Sequence, residues 1–238
     1  MNRKNDKTQE HKCTSAQVHR NTSGLCPVPL SRFIGMLCVC LGLIVTQMAS
    51  ADTSSAKYKE YEVKAAFIFN FLKFIDWPQE KTAGNNSQIV IGIIGEDPFG
   101  PAADIFKDKS VEEHKLVVKR FEGAEQIKKL PEKDRNERLE ALKHCHLLFI
   151  CPSEQKQLRD IIEIVRNSSV LTVADADGFI EAGGMINFFT EDNKIRFDIN
   201  QVDAEKAGLK IRSQLLRLAK KVVTETPAAK NAAKQEGN

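Results

Sequence analysis

The sequence predicts an α/β fold of three layers, α/β/α: a mainly parallel sheet between helices, with a late antiparallel hairpin and a C-terminal helix. Three observations predict it. From about residue 57, short β-branched runs alternate with stretches of helical periodicity. The runs lack the in–out alternation of a half-exposed strand, which suits strands covered on both faces. Late in the chain two apolar runs flank Glu191-Asp192-Asn193, a hairpin signal.

The elements follow in order. Residues 58–75 predict a helix, because Phe67, Ile68, Phe71, Leu72, Phe74 and Ile75 recur at three- and four-residue steps. Its polar face is thin, chiefly Lys64, Asn70 and Lys73, so the helix is mostly buried or partly an interface. Trp77-Pro78 ends it, since the residue before proline avoids helical geometry. Residues 79–87 read as a loop, 88–94 (QIVIGII) as a buried strand, and Pro98 opens a short helix reaching Phe106. Strands follow over 115–121, 146–150 and 170–174, with helices over 132–143 and from Ser153, read as a cap. Leu158, Ile161, Ile162 and Val165 give that last helix its apolar face. The hairpin takes 185–190 and 194–199. Asn200 caps a final helix whose stripe is Ala204, Ala207, Gly208, Ile211, Leu215, Leu218 and Val222. One domain, 57–222, is expected, and 223–238, without large apolar residues after Val223, reads as a disordered tail.

Residues 1–51 read as a cleaved signal peptide. A basic polar region precedes the apolar run FIGMLCVCLGLIV over 33–45, which ends at Ala49-Ser50-Ala51. The run falls short of the roughly 20 residues that span a bilayer. An uncleaved anchor is the rival reading, and Val39 before Cys40 argues against a lipoprotein. The whole chain holds 35 basic and 32 acidic residues; six and two of these lie in 1–51, leaving 29 and 30. Its apparent basicity therefore belongs mostly to the leader, and no nucleic-acid footprint remains. Four of six cysteines also lie in 1–51, leaving Cys145 and Cys151. A straight strand between them would hold their Cα atoms roughly 20 Å apart. A disulfide needs about 4.4–6.8 Å, so no bond within one chain is expected.

Enzyme chemistry is sought and not found. The sequence has no G-x-S-x-G elbow, no H-E-x-x-H helix and no P-loop, and Gly92 and Gly95 are too few for a dinucleotide loop. His144 and His146 would share one face of a strand, but no third ligand accompanies them. Asp175, Asp177 and Gly178 echo a calcium loop without its upstream acid, where Val173 stands. They read as a turn leaving a strand. His114 reads as solvated and Trp77 as a packing anchor. No cofactor, no metal and no catalytic residue is expected.

The stretches YEVKAAFIFNFLKFIDWP (61–78), IVIGIIGEDPFG (89–100), CHLLFI (145–150) and VLTVADADGFIEAGGMINFFTEDNKIRFDIN (170–200) together resemble the YfiR-like family across the whole predicted domain. The resemblance implies a periplasmic, non-enzymatic α/β protein, often dimeric. Such proteins repress an inner-membrane diguanylate cyclase by binding its periplasmic region. Release, through an outer-membrane lipoprotein or redox stress, raises cyclic-di-GMP and with it adhesion and biofilm formation. Redox control in the family is argued on paired cysteines. Cys145 matches such a position, but residues 57–144 hold no second cysteine, so the thiol candidates are Cys145 and a bond from Cys151 between chains. The rival function is a periplasmic small-ligand sensor acting on a histidine kinase or another receptor.

The loop after the 170–174 strand is the expected partner site. Functional loops in open α/β sheets leave the carboxyl ends of strands. Gly183-Gly184 permits a tight turn. Phe179, Ile180 and Glu181 form an apolar tip with one charge, followed by Met185 and Ile186. An exposed apolar patch rimmed by polar groups marks a partner surface.

Overall fold

A computed structural model describes residues 49–82 and 88–225, with side chains over 58–81 and 88–225. The expected signal peptide as far as residue 48, residues 83–87 of the expected 79–87 loop and the expected tail from residue 226 lie outside the described residues. In chain order the elements are helix α1 (Ala49–Lys73), strand β1 (Ile75–Asp76), helix α2 (Gln79–Thr82), β2 (Gln88–Ile94), a 3-10 helix (Gly100–Phe106), β3 (Ser110–Val111) and β4 (His114–Phe121). Next come α3 (Ala124–Lys128), α4 (Glu132–Lys143), β5 (Leu147–Ile150), a second 3-10 helix (Pro152–Gln157), α5 (Leu158–Val165) and β6 (Leu171–Ala174). The chain closes with β7 (Ile186–Glu191), β8 (Lys194–Asn200), α6 (Gln201–Lys206), β9 (Lys210–Ile211), α7 (Ser213–Leu216) and β10 (Lys221–Val223).

The main sheet has eight strands in the order β10-β8-β7-β6-β5-β2-β4-β3. From β7 through β6, β5 and β2 to β4 all neighbours are parallel. The β7–β8 hairpin is antiparallel, and its two-residue turn puts Asp192 and Asn193 at φ 50° and 56°. Two consecutive positive φ values give the turn whose twist matches that of the strands. The class is α/β with three layers. Strand residues alternate between two cores: Ile91, Ile93, Leu147, Phe149, Leu171 and Val173 pack with α1. Ile94, Leu148, Ile150 and Ala174 pack with α3, α4 and α5 on the other face. That two-sided burial is why the strands carry near-continuous apolar runs.

The phenylalanines of α1 are chiefly core. Phe71 is fully buried and sits 5.0 Å from Phe197 and 5.5 Å from Phe188, ring centre to ring centre. Phe67 joins them from the edge. Trp77 is the packing anchor its position suggested: its indole N–H donates to the His146 carbonyl at 3.2 Å and its ring meets the imidazole edge-on.

The final helix differs from expectation. It runs only over Gln201–Lys206, capped as expected by Asn200, whose side chain accepts from the Asp203 N–H. Gly208 then takes φ 77° and the Leu209 N–H returns to the Ala204 carbonyl, which closes the helix end. The chain beyond is free to pair: β9 joins β1 in a second, two-stranded antiparallel sheet, and β10 joins β8 in parallel. β10 ends at Val223, the first residue assigned to the tail. Ser153 also differs. It caps no helix; its hydroxyl accepts from the Glu96 N–H at 3.0 Å, and the segment there is a 3-10 turn.

Candidate functional site

The loop between β6 and β7 leaves the carboxyl end of β6, as expected. Its path is fixed by short-range bonds. The Ala182 N–H donates to the Gly178 carbonyl at 2.9 Å, and the Gly184 N–H to the Phe179 carbonyl at 2.8 Å. This curl turns the Phe179 ring inward, where it is fully buried in the α5-side core. A Cβ on Gly184 would stand 2.3 Å from that ring, so residue 184 must be glycine for Phe179 to lie there. The expectation of an exposed Phe179 tip is therefore corrected. A backbone able to curl tightly enough brings the loop's largest apolar group into the core, and burial is the favourable outcome. Met185 and Ile186 are buried too, at 4% and 0% exposure. Of the five expected partner residues, Ile180 is half-buried and Glu181 exposed; these two remain at the surface.

A cavity of about 760 Å³ opens beside this loop. Apolar walls come from Ile162, Val165 and Met185, and polar groups from Asn167, Glu181 and Lys221. Nearby, Asp198 on β8 has a buried Oδ1 without a hydrogen-bond partner among the described residues. Burial, with Glu181 as a further like charge, raises its pKa against the pull of Lys221.

At the carboxyl ends of β2, β5 and β6 lies a second group of polar side chains. Lys64 of α1 is buried and paired with Glu60 and Asp175. Tyr61 lies beside it, its pKa raised by burial and then by Asp175 and Glu60. The buried Glu154 carboxylate accepts from the Ala124 N–H at 2.9 Å and so caps α3 from another segment. Sequence reasoning placed Lys64 on a polar helix face and did not select it. The one available signal was its position amid apolar neighbours.

The thiols are inert by placement. Cys145 and Cys151 are free, fully buried and on opposite faces of the sheet, one in each core. Burial pushes the Cys145 pKa up to about 11, against a smaller opposing pull from Lys119 and Lys81. Burial, then the charges of Asp97, Glu154 and Glu96, pushes Cys151 up as well. A Cys151 bond between folded chains is thus corrected, since its sulfur reaches no surface. In native protein at pH 8, neither thiol is expected to react with a bulky disulfide reagent within minutes, whereas both react after unfolding. Rapid native labelling of either would contradict this.

The two histidines once paired in the sequence are separated. His144 is the exposed C-cap of α4, while His146 is buried and held at both nitrogens. The Val90 N–H reaches His146 Nδ1 at 3.1 Å, which assigns the proton to Nε2, facing the Lys81 carbonyl at 3.2 Å. Lys81 extends this clasp, donating to the Lys143 and Ser168 carbonyls at 2.6 and 2.7 Å. Asp175 is engaged by Lys64, and Asp177 lies exposed in the turn after β6. Among the described residues no group of three acids, histidines or cysteines could hold a metal ion.

The family described as YfiR/HmsC-like matches residues 61–220, from α1 to the residue before β10. The chain belongs to that family. Its members are regulators rather than enzymes and are periplasmic. Among the described residues no helix is long and apolar enough to cross a membrane. No curated protein sequence matches this chain. Solved structures similar to it include a conserved domain protein from Vibrio cholerae O1 biovar El Tor str. N16961, at 10% identity and TM-score 0.45 over 68% of this chain and 60% of that one. Another is the ABC domain in complex with L-Trp from Streptococcus pneumonia, at 13% identity and TM-score 0.40 over 60% and 57%. The chain thus spans under two thirds of the length of either.

Proposed function

We propose that this protein is a periplasmic negative regulator that binds the periplasmic region of an inner-membrane diguanylate cyclase, without catalysis, and lowers cyclic-di-GMP signalling. The family match over residues 61–220 carries this reading. Regulation by binding requires a tighter grip on the inactive cyclase than on the active one. A signal-peptide route to the periplasm, a homodimeric state and release by an outer-membrane lipoprotein belong to the same reading, as does control of biofilm formation. Ile180 and Glu181, which also line the cavity, supply the surface part of the partner site. Cellular cyclic-di-GMP is expected to rise on deletion of the gene. It should fall again with the exported protein but not with a version lacking residues 1–51. Ile180→Asp is expected to leave cyclic-di-GMP at the deletion level, while the purified variant melts as the native protein does. Full repression by Ile180→Asp would move the partner surface away from this loop.

The cavity favours a second reading, a small-ligand sensor acting on a histidine kinase or another receptor. Its volume and mixed lining fall in the range of ligand pockets, roughly 300–1,000 Å³. Unchanged cyclic-di-GMP on deletion, under several growth conditions, would favour it.

A further inference from the structure

Lys64 is buried to 1% exposure, an unusual place for an ammonium group. Its charge is shared between Glu60, one turn earlier in α1, and Asp175, 111 residues away in sequence. The ammonium also lies 4.4 Å from the centre of the Tyr61 ring. After burial, the charge of the same Asp175 raises the Tyr61 pKa. Asp175 is the first residue after β6, and five residues later the chain reaches 180–183, which line the cavity.

These placements cross the sheet. α1 packs on one face, and α5, which bounds the cavity, packs on the other. Side chains in the middle of the sheet belong to one core or the other. Asp175 stands beyond the strand end, where the sheet no longer separates the two sides. We propose that the Lys64–Asp175 pair is a latch that couples α1 to the cavity loop. A loop movement that draws Asp175 away leaves a buried ammonium with Glu60 alone, itself about one-third exposed at 35%. A buried charge stripped of a partner is strongly destabilising. Residues 58–66 of α1 must then loosen to let water reach Lys64. Events at the cavity, or at the Ile180–Glu181 surface beside it, are transmitted in this way to α1. The latch deepens the proposed regulation and rests on it only for its purpose; its mechanics stand on the geometry.

Hydrogen exchange on the purified protein without any partner tests it. Asp175→Asn is expected to speed exchange at least tenfold in residues 58–66 and in residues 176–183. The amides of β2 and β5 should keep their native rates. In the double variant Lys64→Met with Asp175→Asn, the buried ammonium is gone. Residues 58–66 are then expected to recover protection while 176–183 stay fast. A change confined to 176–183 in Asp175→Asn, a uniform acceleration across the sheet, or no recovery in the double variant would each overturn the latch. If Asp175→Asn does not fold, Asp175→Glu displaces the charge by one methylene and is read on the same two segments. Because no partner is present, a failed cyclic-di-GMP experiment would sink the proposed function and leave this result standing.

Discussion

Phe179→Ala is expected to destabilise the protein by about 3–5 kcal/mol, the usual cost of removing a buried phenylalanine. The ring is fully buried in the core shared with α5, and the Gly184 backbone lies against it. Truncation leaves a void bordered by backbone held in a tight curl, a site with little freedom to collapse. For a domain of this size the melting temperature should fall on the order of 10 °C. Gly184→Ala should be destabilising from the other side, by forcing a methyl group into the ring. Urea unfolding of both, beside Ile180→Ala as a surface control, gives the comparison. Native-like stability in Phe179→Ala would mean that the ring is not core, and that the loop tip is the apolar surface patch its composition suggested.

Acid is expected to weaken the fold through His146. Burial, reinforced by the Lys81 charge and opposed by the hydrogen bond to the Lys81 carbonyl, lowers its pKa to about 4 from the ordinary 6.5. The imidazole is only 7% exposed and is held neutral by the Val90 N–H donating to Nδ1. Between about pH 6.5 and 4 the unfolded chain binds a proton that the folded chain refuses. Stability therefore rises with pH across that window. The contribution is complete above about 6.5 and lost below about 4. A shift of this size corresponds to about 3 kcal/mol. His146→Asn lacks the titrating group, so the difference between the two stability–pH curves isolates it from the carboxylates common to both. Parallel curves across the window would show that His146 is protonated in the folded state as readily as in the unfolded one.

What was legible in the sequence follows a physical line. β2 and α4 were read at their observed bounds, because a seven-residue apolar run and a twelve-residue charged helix each carry their signal locally. The β7–β8 turn was legible for the same reason. The two-residue strands β1 and β9 were not: they exist because Ile75 meets Ile211 across the fold, and neither segment has a strand pattern of its own. The final helix was overextended because apolar spacing continued past Gly208, whose positive φ ends it. That the loop of the candidate site leaves the end of β6 was legible from the strand run before it. Phe179 was misplaced because an apolar loop residue has the same letter whether it is tucked in or exposed. Lys64 was passed over because its meaning depends on Asp175, far along the chain.

The ring cluster of Phe67 and Phe71 with Phe188 and Phe197 joins the first helix to the last hairpin. A chain that emerges N-terminus first, from a ribosome or through a membrane, holds α1 ready while its main packing partners are still to come. Roughly 120 residues must follow before the hairpin can cover those rings, and closing so long a loop is entropically slow. Until residue 200 is out, the Phe67 and Phe71 rings lack their hairpin partners. The buried core on the α5 side draws only on residues 94–179, whereas the core around α1 is completed last, by the hairpin.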